Sequence, residues 1–155
     1  MKRKFSLISF LVLLLLPIAV GFLSYYLTKD NMMIYAAFNK PAISPPPLVF
    51  MIVWTVLYIL MGISSYIVYK NVGRIGPLFT YFLSLFANFF WSIIFFNWNE
   101  FGLAFIWLIL LWVLILFTII DYWKISRPAA ILQIPYLLWV TFAGYLNIMI
   151  WYLNR

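Results

Sequence analysis

The stretch KPAISPPPLVFMIVWTVLYILMG, residues 40–62, decides the fold, because a proline-rich segment leads directly into a long apolar run. Consecutive prolines cannot lie inside a helix, but proline fixes φ and is tolerated where a helix starts. The segment therefore predicts a rigid loop at the mouth of a helix that begins near Leu48. Trp54 and Tyr58 are one turn apart, so they fall on one face of that helix. A stiff loop above an aromatic helix face is the expected arrangement.

The composition of the whole chain indicates an integral membrane protein. Of its 155 residues, 68% are hydrophobic and 8% are charged, whereas soluble domains average about 25% charged residues. The formal net charge of +7 comes from cations at the ends of apolar runs. That placement is typical of topology signals and lipid headgroup contacts, so we expect membrane lipid and no nucleic acid as a partner.

The absence of two residue types narrows the possible chemistry. The sequence contains neither Cys nor His, which excludes disulfides and thiolate metal sites. It also removes the commonest metal ligand, general base and axial haem ligand. The chain has three carboxylates, all near the ends of apolar runs. We therefore expect no metal site and no permanent cofactor.

Five apolar runs are long enough to cross a membrane as helices, which requires about 20 residues each. They cover residues 5–27, 48–69, 78–98, 101–123 and 129–153. None of them alternates in the manner of a barrel strand. The sequence therefore predicts an all-α membrane protein, with residues 1–155 forming a single five-helix domain. The long connection at 28–47 carries prolines and aromatic residues and is predicted to fold over the helix ends as a lid loop.

The first run has an alternative interpretation, because Lys2-Arg3-Lys4 and the apolar residues after it also resemble a signal peptide. Apolar character continues to Leu27, which favours a retained spanning helix. On alternate sides of the membrane, Lys and Arg number seven on the N-terminal side and three on the other. The positive-inside rule then predicts a multi-pass cell-membrane protein with a cytoplasmic N-terminus. The C-terminus and the lid loop are expected outside.

Polar and aromatic residues deep in the predicted helices are candidate binding groups, since apolar side chains are expected in a membrane. In the third run, Asn88 shares a helix face with Trp91 and Ser92. A stripe at helical spacing on the fifth run consists of Tyr136, Trp139, Ala143 and Asn147. Pro135 removes a backbone hydrogen bond there and is expected to kink the helix. A second interpretation stays open, in which Asn88 and Asn147 form hydrogen bonds between helices.

Motifs spread over the chain carry a resemblance to a known family. They are Tyr35, Lys40-Pro41, Pro45-Pro46, Phe50, Trp54-Thr55, Leu57-Tyr58, Met61-Gly62, Asn88, Trp91-Ser92, Phe95-Phe96, Gly102-Leu103-Ala104, Pro135-Tyr136-Leu137, Trp139, Phe142-Ala143, Leu146-Asn147 and Leu153-Asn154. With these motifs, the chain resembles the tryptophan-rich sensory protein/translocator protein family, also called the peripheral-type benzodiazepine receptor family, over nearly all of residues 30–155. It departs from the family at Ile34 and Ile43, where tryptophans are usual.

The resemblance implies a five-helix bundle, usually a homodimer, with a ligand pocket beneath the first loop. Family members bind porphyrins, haem-type tetrapyrroles and benzodiazepine-like ligands, and animal members bind cholesterol. For this chain the resemblance implies sensing, sequestration or transport of a porphyrin, a haem-type molecule or another flat hydrophobic ligand. Carried over motif by motif, the pocket residues would be Tyr35, Pro45, Phe50, Trp54, Tyr58, Asn88, Trp91, Ser92, Trp139 and Ala143.

An enzymatic alternative rests on two of these residues. Some bacterial members of the family are reported to break down protoporphyrin in light, using tryptophans that match Trp54 and Trp139. The resemblance therefore also allows a light-dependent porphyrin-degrading enzyme with these two indoles as photochemical groups. Because the chain lacks His, a free-base porphyrin or a weakly held haem suits it better than a permanent haem.

Overall fold

The computed structural model describes residues 4–155, so Lys2 and Arg3 of the orientation count lie outside the described residues. The chain forms five long helices: α1 (Leu7–Ala36), α2 (Pro47–Val72), α3 (Phe79–Ser92), α4 (Phe101–Ile125) and α5 (Arg127–Leu153). A 3-10 turn at Gly76–Leu78 precedes α3, and a π-helical turn at Ile93–Asn97 continues it. Five helical spans are long and apolar enough to cross a membrane. The predicted all-α, five-span membrane protein is confirmed.

Helix α1 is longer than predicted. It continues to Ala36, so most of the first half of the expected lid loop is helical, and the connection to α2 covers residues 37–46. Residues 28–36 contain polar side chains but no Pro or Gly, and nothing in them interrupts a helix. The hydroxyl of Thr28 is buried and donates to the carbonyl of Ser24 at 2.8 Å, which satisfies it within the helix. Loss of apolar character in the sequence therefore did not mark the end of the helix.

The five helices pack as a closed ring. Around the ring the order is α1, α2, α5, α4 and α3, and the end of α3 with its π-helical turn returns to α1. The most extensive contacts join α4 to α5 and α1 to α2. Consequently α2 and α5 are neighbours in space although two helices separate them in sequence. This neighbourhood places the aromatic face of the opening stretch against the aromatic stripe of the fifth helix.

Two glycines allow α1 and α2 to approach closely. A Cβ added at Gly62 of α2 would lie 2.7 Å from the Cα of Leu14 and 3.0 Å from the carbonyl oxygen of Leu13. A Cβ added at Gly21 of α1 would collide with the ring of Tyr58. Close backbone approach through small residues is the usual way in which membrane helices gain packing energy. The close α1–α2 contact therefore requires glycine, which has no Cβ, at both positions.

Candidate functional site

The prolines of the opening stretch define the start of α2. The helix begins at Pro47, and Pro46 is its N-cap residue with extended backbone angles (φ −59°, ψ 152°). Proline is suited to the first turn of a helix because a backbone N–H at that position has no acceptor within the helix, so nothing is lost when it is absent. From this fixed start, Phe50, Trp54 and Tyr58 follow at intervals of one turn and face α5 and α1.

An aromatic seam joins α2 to α5; it consists of Phe50, Trp54, Tyr58, Tyr136 and Trp139. Phe50 meets the Trp139 ring edge-on with centroids 5.4 Å apart, and Trp54 stacks on Tyr58 at 5.5 Å. Trp54 also meets Tyr136 edge-on at 6.1 Å. Offset and edge-on pairs of this kind contribute roughly 0.5–1.5 kcal/mol each beyond the burial of their area. The seam contains ring faces, two hydroxyls and two indole N–H groups, and it has no charged side chain.

An apolar groove of about 500 Å³ runs along the outer side of this contact. Its lining consists mainly of Ile52, Val56, Leu60, Leu138, Trp139 and Phe142. Pro135 also lines it and supplies no backbone N–H to the preceding turn of α5. The Nε1 atom of Trp139 is buried and has no hydrogen-bond partner among the described residues. A buried indole N–H without an acceptor is unusual in a native protein and calls for an explanation.

Asn88 and Gly21 hold Tyr58, the seam residue of α2 that lies farthest from the loop. The Asn88 side chain is 2% exposed and its Nδ2 donates to the Tyr58 hydroxyl at 3.1 Å. On the other side, the Tyr58 ring lies directly against Gly21 of α1. Three helices therefore determine the position of one ring. The interpretation of Asn88 as an interhelical hydrogen-bonding group is what the structure shows.

A second aromatic group lies under the loop, at the end of the bundle where α1 stops; we call it the loop-end cluster. Its members are Tyr35, Phe38, Trp91, Phe95, Phe96 and Phe101. The Tyr35 ring lies 5.7 Å from that of Phe95 and 5.4 Å from that of Phe96. Trp91 donates from Nε1 to the Asn147 Oδ1 at 3.1 Å. The π-helical turn carries both phenylalanines into this cluster, and such turns are frequent at functional sites.

Lys40 closes the end of α1. Its Nζ donates to the carbonyls of Tyr35, Ala36 and Phe38 at 3.0, 3.1 and 3.2 Å. The ammonium also lies 4.6 Å from the centroid of the Tyr35 ring. A cation at the C-terminus of a helix satisfies orphan carbonyls and complements the helix dipole. The side chain of Lys40 is therefore engaged in the loop itself.

Pairs of asparagines tie the loop end together. The backbone N–H of Asn39 donates to Asn154 Oδ1 at 2.9 Å, and Asn154 Nδ2 donates to the Asn39 carbonyl at 2.8 Å. Likewise, Asn31 donates to Asn97 Oδ1 at 2.7 Å, joining α1 to the π-helical turn. The loop is thereby attached to the end of α5, and α1 is attached to the end of α3.

The structure brings together five of the ten predicted site residues and places the others elsewhere. Phe50, Trp54, Tyr58, Asn88 and Trp139 meet at the seam. The remaining five lie around the loop end or on neighbouring turns: Tyr35 and Trp91 in the loop-end cluster, Ser92 half-buried after Trp91, Pro45 half-buried in the loop, and Ala143 buried one turn beyond Trp139.

The predicted list omitted two residues that shape the seam. Tyr136 meets Trp54, and its place in the stripe on the fifth helix was a signal that could have found it. Gly21 packs against the Tyr58 ring, but a glycine inside a long apolar run does not indicate which helix it faces. Finding it required the order of the helices around the ring.

A five-span helical membrane protein with an aromatic contact between its second and fifth helices is thus the class that fold and site define. The model of the TspO/MBR family matches residues 13–153. The chain is 36% identical to the tryptophan-rich protein TspO of Chlorobaculum tepidum, over 90% of this chain and 91% of that protein. It is also 35% identical to the translocator protein of Bos taurus, over 91% and 87% of the two chains. The chain belongs to the TspO/MBR family.

Proposed function

We propose that this protein binds a porphyrin, a haem-type tetrapyrrole or a similar flat apolar ligand for sensing, sequestration or transport. The observation that carries the proposal is the buried indole N–H of Trp139, which has no acceptor within residues 4–155 and belongs to a residue lining an apolar groove. A ligand with a ring nitrogen or carboxylate can supply that acceptor. Ligand sites in proteins are mostly apolar and contain a few placed polar groups, which is the composition found here.

The shape and chemistry of the seam suit a flat aromatic ligand. Ring edges and faces of Phe50, Trp54 and Trp139 lie where α2 and α5 meet. A planar macrocycle that replaces one of these ring contacts keeps the offset or edge-on geometry that aromatic systems favour. Neither seam nor sequence supplies a histidine to hold iron, so we propose a free-base porphyrin or a weakly held haem as the ligand. No permanent cofactor is part of this proposal.

The ten residues implied by the family resemblance take different parts in the proposal. Four of them belong to the seam, namely Phe50, Trp54, Tyr58 and Trp139, and Asn88 fixes Tyr58. We propose that the other five form the wall toward the loop: Tyr35, Pro45, Trp91, Ser92 and Ala143. The relatives named translocator proteins are consistent with a transport role.

Titration of the detergent-purified protein with protoporphyrin, followed by quenching of tryptophan fluorescence, tests this site. We expect Trp139→Phe and Trp54→Phe each to raise Kd roughly tenfold, since about 1.4 kcal/mol corresponds to one hydrogen bond or one well-placed ring contact. Trp123→Phe is the matched control, because that indole is 47% exposed near the far end of α4. Equal affinities for all three variants and the wild type would exclude the seam as the binding site.

The same samples distinguish binding from photodegradation when they are kept in the dark or illuminated. Trp54 stacks on Tyr58 and meets Tyr136, so the seam contains adjacent redox-active rings that favour the enzymatic alternative. A degrading enzyme bleaches the porphyrin absorption band in light, and the double variant Trp54→Phe/Trp139→Phe does not. Bleaching at the same rate in protein-free detergent would leave binding as the function.

We propose that the loop end faces the outside of the cell. The support is the distribution of Lys and Arg, seven on the side of the N-terminus and three on the other. A phosphatase that is active only outside the cytoplasm, fused after Arg155, is expected to be active, whereas the same reporter inserted after Arg74 is expected to be inactive. The reverse pattern would invert the proposed orientation. A low signal from both fusions, with both present in the membrane, would also contradict it.

A further inference from the structure

The half of the bundle opposite the loop contains a set of buried polar side chains, one of which, Tyr136, also belongs to the seam. Tyr81 of α3, Tyr122 of α4, and Gln133 and Tyr136 of α5 are all 0% exposed. They come from three helices and point into the ring of helices rather than toward lipid. Polar groups inside a membrane domain are costly unless they are paired, so their partners must be accounted for.

The hydrogen bonds within the protein satisfy only part of this set. Gln133 donates from Nε2 to the Ser64 hydroxyl at 3.2 Å, and Ser64 donates to the carbonyl of Ala129 at 2.7 Å. The Oε1 atom of Gln133 receives no hydrogen bond, and the hydroxyls of Tyr122 and Tyr136 have no partner among the described residues. One acceptor and two donors therefore remain unused inside the protein.

Tyr81 lies between these groups. Its ring is 6.4 Å from that of Tyr122, measured between centroids. Its hydroxyl faces Ser65, but the pair falls short of hydrogen-bond geometry. Ser65 instead donates to the carbonyls of Met61 and Gly62, at 3.0 and 3.1 Å. Tyr81 thus also has unused hydrogen-bonding capacity.

The polar groups continue toward the aromatic seam through Tyr58. Its hydroxyl accepts the hydrogen bond from Asn88, and its ring stacks on Trp54, which also meets Tyr136. We call Tyr58, Tyr81, Tyr122, Gln133 and Tyr136 the tyrosine column. It extends from about one turn before the end of α4 to the Tyr58 end of the seam.

We propose that the tyrosine column binds internal water molecules that bridge its hydroxyls and the Gln133 carbonyl oxygen. A water molecule donates two hydrogen bonds and accepts two, so it serves unused donors and acceptors together. Buried waters characteristically make two to four such bonds. The column has no carboxylate and no charged side chain, so it does not have the composition of a cation site. The inference rests on these residues alone and holds whether or not the seam binds a porphyrin.

Water bound in the column places polar groups directly beside the proposed ligand site. Because Tyr58 and Tyr136 belong to both the column and the seam, water bound beside them brings exchangeable protons next to the aromatic rings. In the hydrocarbon region this supply is otherwise absent. The column is thus a hydrated core that ends at the proposed site.

Water-edited solid-state NMR on the full chain in lipid bilayers, with ¹³C-labelled tyrosine, tests the proposal directly. We expect rapid transfer of water magnetisation to the rings of Tyr122 and Tyr136. Tyr145 is the matched control, because it is 43% exposed on the outer surface of α5 and is expected to contact lipid. Tyr→Phe variants serve only to assign the signals. If the two buried rings receive no more magnetisation than Tyr145, the column is dry and the proposal is wrong.

Thermal unfolding in detergent provides an independent test. Removing a water-bridged hydroxyl with Tyr136→Phe or Tyr122→Phe is expected to lower Tm by several degrees, whereas Tyr145→Phe is expected to leave it unchanged. If the hydroxyls are truly unpaired, their removal relieves a buried polar group and leaves Tm equal or higher. That outcome would overturn the proposal. Should a variant fail to fold, the NMR experiment on the wild-type chain still decides the question.

Discussion

Replacing Gly62 with alanine is expected to lower the free energy of unfolding by about 1–3 kcal/mol, the usual range for overpacking a tight contact. The added Cβ would lie 2.7 Å from the Cα of Leu14 and 3.0 Å from the carbonyl oxygen of Leu13. Both atoms belong to the backbone, so no rotation of a side chain can relieve the collision. The two helices must instead move apart, which removes contacts along their whole length.

The measurement is unfolding of the purified protein in mixed micelles with increasing dodecyl sulfate. Gly76→Ala is the matched control, because nothing lies within 4 Å of a Cβ at that position and the residue is exposed. In α-helical positions alanine is favoured over glycine by up to about 1 kcal/mol, so intrinsic propensity opposes the expected loss at Gly62. A Gly62→Ala variant as stable as Gly76→Ala would show that the α1–α2 distance is not set by this glycine.

Separation of α1 from α2 also bears on the candidate site. Tyr58 lies one turn from Gly62 on α2 and packs against Gly21 of α1, so both contacts depend on the same close approach. A bundle in which α1 moves outward loses one of the supports that hold the Tyr58 ring. The fold therefore positions the seam partly through backbone packing, and not only through the aromatic residues themselves.

The sequence predicted the number and type of the elements because membrane spans follow from a simple physical requirement. An apolar run of about 20 residues is long enough to cross the hydrocarbon core, and a helix forms all the backbone hydrogen bonds that lipid cannot supply. The end of α1 was beyond this reasoning: Asn31 lies past the predicted end, within the helix, where it bonds to Asn97. That pair joins residues far apart in sequence, and no local sequence pattern indicates it. The prolines at 45–47, by contrast, fix the start of α2 through covalent geometry, and that prediction is confirmed.

For the candidate site, spacing along one helix was predictable and the meeting of different helices was not. Trp54 and Tyr58 share a face because they are one turn apart. That Phe50 meets Trp139, whereas Trp91 turns instead to Asn147, depends on the order of the helices around the ring. The π-helical turn at Ile93–Asn97 adds a change of direction with no sequence signal of its own. Of the ten residues implied by the family resemblance, five therefore meet at the seam and the other five lie around the loop end or on neighbouring turns.

Replacing Asn147 with leucine is expected to lower the free energy of unfolding by about 1–3 kcal/mol, because it leaves the buried Trp91 N–H without an acceptor and removes the side-chain hydrogen bond to the Phe101 carbonyl. Asn147 is 1% exposed and joins three helices: it accepts from Trp91 Nε1 at 3.1 Å and donates from Nδ2 to the Phe101 carbonyl at 2.8 Å. Leucine keeps the branched shape of asparagine but is larger, so no cavity forms and some overpacking adds to the loss. A double-mutant cycle with Trp91→Phe separates the hydrogen bond to Trp91 from that packing effect.

Thr55→Val is the matched control, since Thr55 is exposed and, in the part of the chain that the structure describes, its hydroxyl bonds only to the carbonyl of Met51 in its own helix at 2.8 Å. We expect it to change the free energy by less than about 0.5 kcal/mol. A double-mutant cycle then isolates the pair: with phenylalanine at 91 no indole N–H needs an acceptor, so Asn147→Leu should cost less in Trp91→Phe than in the wild type. Strict additivity would show that Trp91 finds another acceptor when Asn147 is absent. A loss that persists in the Trp91→Phe background comes from the hydrogen bond to the Phe101 carbonyl and from packing of the larger leucine, and it is thereby separated from the contact of α5 with Trp91 of α3.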